Sequence, residues 1–185
     1  IQKYGVHLSN ELKFAKKKKP IFLGIGGSKL YEIKRAVKII NDSGNKDIVL
    51  MHGFQAFPTK LEDSNLRLIE TIDKELQLPV GFLDHIDAET KMAMVLPLLS
   101  VIEGVVAIEK HITIDRKLKE YDSFSALHPN EFKDMMFLIR ETEKAIGSGQ
   151  FILSDAEIGY NTMMKKNLVA RKSIKKGKPA QYKQK

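Results

Sequence analysis

The sequence predicts an α/β fold in which strands and helices alternate around a parallel sheet. The chain has 185 residues, of which 43% are hydrophobic and 29% charged, so it can bury the core of one domain. From residue 20 onward, short apolar runs alternate with longer amphipathic stretches in four units of roughly 25 to 35 residues. A doubly wound sheet and a (β/α)₈ barrel both produce this pattern. Because a full barrel takes about 250 residues, the chain could supply only the second half of one.

The first two units each open with an apolar run typical of a buried strand. Residues 20–24 form the first run, and Ser28 is placed to cap the amphipathic helix that follows, with Gly44 just beyond its end. The second unit begins with Ile48–His52 and continues into a helix over about residues 65–76. These two units account for the first half of the sheet.

The third and fourth units repeat the arrangement with two irregularities. Residues 80–85 predict a strand, and residues 88–102 predict a helix that is apolar nearly all round and that Pro97 should kink or interrupt. Residues 105–111 predict the fourth strand, after which a loop of about twenty residues precedes a helix beginning at Pro129. The chain therefore offers four clear strand-helix units.

Charge and composition exclude several classes of protein. The net charge is +8 at pH 7, but nine of the 31 basic residues and none of the 23 acidic ones lie in residues 165–185, so the body is nearly neutral. This distribution argues against a nucleic-acid-binding surface. The absence of cysteine excludes disulfides, Cys-ligated zinc and a thiolate nucleophile. No apolar run approaches the ~20 residues of a membrane helix, so we expect a cytoplasmic protein that does not bind membranes.

Three of the five histidines end a predicted strand: His52, His85 and His111. In parallel α/β folds the carboxyl ends of the strands form one face, so these rings should converge there. Two imidazoles with a carboxylate and no thiolate suit a divalent metal such as Mn²⁺, Fe²⁺ or Zn²⁺. Alternatively, each histidine is a polar strand terminus hydrogen-bonded to a loop. The nearby acidic residues are Asp84, Glu109, Asp115 and Asp122.

Several blocks of sequence together resemble the sialic acid synthase family. That family includes N-acetylneuraminate, legionaminate and pseudaminate synthases and the spore-coat polysaccharide protein. The resemblance runs from about residue 20 to residue 147. It rests on Leu50-Met51-His52, Phe57-Pro58-Thr59, Asn65-Leu66-Arg67, Pro79-Val80-Gly81, Asp84-His85, Ile108 to Arg116, Asp122, Ser125-Ala126-Leu127 and Glu131-Phe132-Lys133.

The resemblance implies a TIM-type barrel, of which this α/β chain would supply the second half as four to five βα units. It also implies condensation of phosphoenolpyruvate with an N-acetylated hexosamine to a nine-carbon 2-keto sugar acid, a step in surface polysaccharide biosynthesis. By resemblance, His85 and His111 bind a divalent metal, usually Mn²⁺, which polarises the open-chain sugar aldehyde. Asp122 matches a catalytic carboxylate beside the metal and the sugar, and His52 is not a ligand.

Substrate-binding residues depart from the family pattern. Lys3 or Gln2 could match a phosphate-binding lysine, whereas Gln55 and Phe57 stand where the family has an asparagine and a tyrosine that face the substrates. Gly24 replaces a phosphate-binding serine. Lost hydroxyls remove hydrogen bonds worth about 1.5 to 3 kcal/mol each to a charged partner.

The resemblance also predicts that the chain divides into two segments. Residues 1–149 would be a partial synthase-like barrel, and residues 150–185 a linker with a remnant of the entry to an antifreeze-like domain. An open half barrel exposes strand edges, so we expect a homo-oligomer or a complementing chain as partner. Two other functions remain: a degenerate, non-catalytic paralogue that acts as an assembly partner, and a different metal-dependent aldolase on the same fold.

Overall fold

In a computed structural model, the chain divides into two compact units, Ile1–Gly147 and Ser148–Lys185. The described residues are 19–54, 56, 59–118, 121–170 and 172–179, together with the backbone of residues 182–184. None of the helices in these stretches has the length and hydropathy that crossing a lipid bilayer requires.

Four parallel strands form the sheet of the first unit. They are β1 (Ile21–Gly24), β2 (Ile48–His52), β3 (Val80–Asp84) and β4 (Ala107–Lys110), and they pair in chain order. A helix follows each strand, as the alternating pattern predicts.

The helices of this unit are α1 (Leu30–Asp42), α2 (Arg67–Leu76), α3 (Met92–Ile102) and α4 (Pro129–Ile146). Three short 3₁₀ turns, Leu61–Ser64, Arg116–Leu118 and Ser123–Ser125, lie in the loops after β2 and β4. The loop after β4 thus carries local structure before α4 begins.

The main core lies between the helices and one face of the sheet. Leu50, Val80 and Phe82 alternate along β2 and β3, and each is at most 3% exposed. The helices cover this face with Ile33 and Ile40 of α1, Ile69 and Ile72 of α2, Ala93 and Leu96 of α3, and Met135 and Ile139 of α4. The core therefore fixes which side chains of each strand face the helices.

Two helix starts differ from the sequence prediction. Lys29 rather than Ser28 occupies the N-cap of α1, and the carboxylate of Glu32 accepts the Lys29 backbone N–H at 2.7 Å. Helix α3 begins at Met92, four residues later than predicted, because Asp87 organises a turn: its carboxylate accepts the N–H of Glu89 at 2.9 Å. Pro97 lies inside α3 and is buried.

Glycines let the strand ends approach one another closely. A Cβ on Gly26 would lie 2.2 Å from the carbonyl oxygen of Gly53. Gly53 has a φ of +122°, and a Cβ there would lie 2.3 Å from the carbonyl oxygen of Leu83. Backbone therefore packs directly against backbone where β1, β2 and β3 end.

The second unit has its own small set of elements. Helix α5 (Asp155–Met164) begins at a capping box in which the Ser154 hydroxyl accepts the Glu157 N–H, while the Glu157 carboxylate accepts the Ser154 N–H at 2.8 Å. Strands β5 (Leu168–Ala170) and β6 (Tyr182–Gln184) pair antiparallel within the basic tail.

Candidate metal centre

Two histidines converge where neighbouring strands end. His85 directly follows β3 and His111 directly follows β4, and their ring centroids are 5.0 Å apart with an interplanar angle of 56°. The paired strands β3 and β4 bring these residues together from 26 positions apart in the sequence. The structure thus produces the convergence that the strand-end pattern predicts.

Glu109 joins the two histidines in a group that could hold a metal ion. One potential ligand atom from each of His85, Glu109 and His111 lies within 4.8 Å of the other two. Glu109 and His111 are two residues apart along the chain, a spacing that places both on one side of an extended strand. His85 is buried, His111 is half-buried and Glu109 is exposed, so the group opens toward solvent on one side.

The strongest sign of a ligand is a pair of orphaned nitrogens. His85 Nδ1 and His111 Nε2 are both buried, and within the described part of the chain neither has a hydrogen-bond partner. Buried polar atoms in native proteins nearly always have a partner, because an unpaired one keeps its full desolvation cost. A divalent cation between the two rings would satisfy both atoms with the donor set it favours.

Burial also affects the protonation of His85. It lowers the pKa of His85 below its ordinary value, and the neighbouring His111 lowers that pKa further. The opposing carboxylates, which favour the charged ring, are Glu109, Asp122 and Asp84. A lowered pKa favours the neutral ring, the form in which an imidazole can bind a metal.

Asp122 approaches the histidines from the loop after β4. Its Oδ2 lies 3.8 Å from His111 Nε2. Asp122 has a φ of +67°, a left-handed conformation that aspartate tolerates better than most residues, and its carbonyl accepts the Ser125 N–H at 3.1 Å. A parallel bridge between Ile112 and Leu127 returns the loop to the sheet. The loop thereby places a carboxylate beside the two rings.

Comparison with known proteins identifies the family to which this arrangement belongs. The NeuB family model matches residues 8–151. This chain belongs to the NeuB family.

Two NeuB relatives with named activities span nearly all of this chain. The chain is 31% identical over 167 residues to the N,N'-diacetyllegionaminic acid synthase of Legionella pneumophila, covering 88% of this chain and 46% of that protein. It is 32% identical over 163 residues to a pseudaminic acid synthase of Campylobacter jejuni, again covering 88% of this chain and 46% of the relative. The chain therefore spans about half the length of these curated relatives.

A solved structure agrees with this assignment. The N-acetylneuraminic acid synthetase of Leptospira borgpetersenii superposes with a TM-score of 0.74 at 26% identity, covering 85% of this chain and 54% of the other. Together with the parallel sheet and its alternating helices, this match identifies the first unit as half of a TIM-type barrel. The barrel alternative is confirmed over the doubly wound sheet.

The other site residues predicted from the sequence of this NeuB chain do not join the His85–Glu109–His111 group in the described structure. His52 ends β2, and its Nε2 lies 3.0 Å from the Ser64 carbonyl, so it serves as a hydrogen-bonded strand terminus. Asp115 accepts the Lys117 N–H at 2.9 Å and so shapes the 3₁₀ turn. The three residues predicted to bind substrate, Lys3, Gln55 and Phe57, fall outside the described residues.

Asp84 stabilises the carboxyl end of the sheet through a buried ion pair, although the sequence analysis grouped it with the acids near the metal. Its Oδ2 forms an ion pair with Lys110 Nζ at 2.9 Å, and the two side chains are 0% and 1% exposed. The available signal was strand alternation: Asp84 follows Val80 and Phe82 at intervals of two and thus shares their core-facing side. Its partner could be identified only once the register of β3 and β4 was known.

A second ion pair, which sequence reasoning missed, anchors the loop that carries Asp122. Arg116 Nη1 and Nη2 donate to the Glu131 carboxylate at 2.6 and 2.9 Å, and Glu131 also accepts the His128 N–H at the start of α4. The pair joins the 3₁₀ turn after β4 to the first turn of the helix. These contacts, Arg116 foremost, lower the pKa of Glu131 to about 2.

Glu131→Gln should lower the free energy of unfolding by about 1 kcal/mol at pH 7, a value discounted because Glu131 is about a third exposed. Because the pKa of Glu131 is depressed from 4.5 to about 2, its contribution is complete above pH 4.5 and is lost as the pH falls toward 2. Urea unfolding should therefore show the difference from wild type shrinking over that interval. Glu141→Gln, which breaks an exposed pair with Lys144, is the control, and an equal loss there would contradict the assignment.

Proposed function

We propose that this chain forms the carboxyl-terminal half of a barrel that condenses phosphoenolpyruvate with an N-acetylated hexosamine. The reaction would consume one water, and its products would be inorganic phosphate and a nine-carbon 2-keto sugar acid for a surface polysaccharide. The observation that carries the proposal is the pair of orphaned nitrogens, His85 Nδ1 and His111 Nε2. The names of the NeuB relatives, which are legionaminic and pseudaminic acid synthases, support the substrate class.

The donor set of the site fits a divalent metal, for which we propose Mn²⁺. His85 and His111 would hold the ion through their orphaned nitrogens, with Glu109 as a third ligand. When bound, such an ion supplies Lewis-acid polarisation of the sugar aldehyde. The lowered pKa of His85 favours the neutral ring, which is the form that can bind the ion.

Asp122 is the residue we propose for contact with the sugar. Its carboxylate lies beside His111 at the rim of the group, where it can accept hydrogen bonds from substrate hydroxyls. The loop after β4, tied down by Arg116 and Glu131, would hold it there. The phosphate of phosphoenolpyruvate would be bound elsewhere, with Lys3, Gln55 and Phe57 as the residues proposed from the resemblance.

Completing the site requires the other half of the barrel. Among the described residues the sheet has β1 and β4 as its outer strands, and the chain covers about half of the length of these relatives. Apolar residues beside β4 are exposed, among them Val106, Ile112 and Ile114. We propose that a second copy of this chain or a complementing polypeptide covers them.

Mn²⁺ titration of the purified chain tests the metal site. Wild type should bind one ion, and His85→Ala or His111→Ala should weaken binding by at least about 100-fold, because each removes one of two orphaned nitrogens. His52→Ala is the matched control: it removes the third strand-end histidine and should leave the affinity unchanged. Equal Mn²⁺ affinity in all four proteins would contradict the site.

Phosphate release tests the reaction itself. The assay uses phosphoenolpyruvate and N-acetylmannosamine, with the chain supplied alone and together with the amino-terminal half of a NeuB relative. Metal-dependent release that both histidine variants abolish supports the synthase, whereas release that survives in those variants contradicts the proposed chemistry.

One observation favours a second function, that of a non-catalytic assembly partner. Gly24 ends β1 in register with Met51, at the strand-end face, where the resemblance places a serine hydroxyl in other members. Without that hydroxyl an anion loses a hydrogen-bond donor. Mn²⁺ binding without phosphate release in either arrangement would favour this second function.

A further inference from the structure

The buried ion pair of Asp84 and Lys110 stands next to the metal centre in both strands. Asp84 immediately precedes His85, and Lys110 immediately precedes His111. The two charged residues are Cα partners on the last rung that joins β3 and β4, and their side chains meet at 2.9 Å. The ion pair therefore joins the last paired residues of β3 and β4, directly before the two histidines.

The same carboxylate also holds the backbone beyond His85. While Asp84 Oδ2 binds Lys110, Asp84 Oδ1 accepts the Ile86 N–H at 3.0 Å. The backbone of His85 is thus held between two residues that are joined through one side chain. A single buried carboxylate connects the segment carrying one imidazole to the strand carrying the other.

Alternation places this pair on the helix-facing side of the sheet. Asp84 shares its strand face with Phe82, and Lys110 shares its face with Ile108, both part of the main core or packed against it. A slip of one residue between β3 and β4 would separate the two charges inside that core, where water cannot replace the lost partner. The ion pair therefore penalises every register except the observed one.

We propose that the Asp84–Lys110 ion pair is a positioning device for the metal centre, which fixes the last rung of β3 and β4 and thereby sets the separation of the His85 and His111 rings. The inference rests on the proposed function for the role of the rings as ligands. Asp84 and Lys110 are positioning residues, since their paired side chains lie on the face of the sheet that the core covers.

The test replaces both charges at once. The double variant Asp84→Asn with Lys110→Met keeps side chains of similar volume, and the asparagine can keep a carbonyl oxygen for Ile86, while the ion pair is lost. Removing both charges avoids the uncompensated buried charge that a single substitution would leave. The control is Glu75→Gln with Lys34→Met, which removes an exposed ion pair of 3.2 Å between α2 and α1.

Two readouts apply to the folded proteins. The nuclear Overhauser effect between the His85 and His111 rings, measured without metal, reports their separation directly. Mn²⁺ titration reports the consequence for binding. In the double variant we expect the ring-to-ring effect to be lost and the affinity to fall about 10- to 100-fold, as for other residues that support metal ligands. The control should retain both wild-type values.

A double variant that keeps the ring-to-ring effect and binds Mn²⁺ within about two-fold of wild type would overturn the proposal. If that variant does not fold, amide exchange of Ile86 in the wild-type chain decides instead. Exchange only through global unfolding supports a rigid clamp, and fast local exchange overturns it. If the wild-type chain binds no Mn²⁺, the proposed function fails, while the ring-to-ring effect and the amide exchange still judge the positioning role.

Discussion

Lys110→Met should lower the free energy of unfolding by about 3–5 kcal/mol, the usual cost of leaving one partner of a buried ion pair unpaired. The carboxylate of Asp84 is fully buried, so solvent cannot replace the ammonium group that the variant removes. The lost contact also joins β3 to β4 in addition to their backbone hydrogen bonds. Urea unfolding followed by circular dichroism measures the loss.

The matched control for Lys110→Met is Lys34→Met. Lys34 pairs with Glu75 at 3.2 Å, but both side chains are about half exposed, so the expected loss is below about 1 kcal/mol. A loss at Lys110 no larger than that at Lys34 would mean that water reaches Asp84. The pair would then contribute no more than a surface contact.

Gly53→Ala should be comparably damaging, with a loss of about 3 kcal/mol or more, because two costs add. The φ of +122° lies where L side chains rarely occur, and strain of that kind costs about 1–3 kcal/mol. The added methyl group would also lie 2.3 Å from the Leu83 carbonyl oxygen, which belongs to a paired strand and cannot move freely. Thermal and urea unfolding measure the sum.

Gly104→Ala separates these two costs. Gly104 also has a positive φ, +90°, but among the described residues no atom beyond its own chain neighbours lies within 4 Å of the position a Cβ would take. Its alanine variant should therefore lose only the strain component. Equal losses at Gly53 and Gly104 would show that the close approach between strand ends costs nothing.

The sequence could predict the strands because parallel strands buried on both faces appear as short continuous hydrophobic runs. The run Ile48–His52 coincides with β2 from its first residue to its last. The convergence of His85 and His111 also followed, because the topology of a parallel sheet puts all carboxyl ends at one edge. Neither inference needed any knowledge of side-chain partners.

What the sequence could not predict depends on contacts between distant residues. Asp84 looks like a candidate ligand until the register places Lys110 beside it. Glu131 looks like an ordinary first-turn acid until the loop after β4 brings Arg116 within 2.6 Å. The prediction of Ser28 as the N-cap of α1 was wrong for a local reason: the Ser28 N–H donates to the Ile25 carbonyl in a tight turn, and the helix begins one residue later. Long-range pairing and turn geometry, rather than hydrophobic pattern, limited the prediction.

The order of the sheet has a consequence for how the chain acquires its structure. Within the described sheet, β2, β3 and β4 each pair with the strand made just before them. A sheet with such sequential pairing can grow one unit at a time as the nascent chain leaves the ribosome. Because His85 and His111 directly follow β3 and β4, their rings become neighbours only when β4 pairs with β3. Under the proposed function, an ion would bind there only after these two strands have paired.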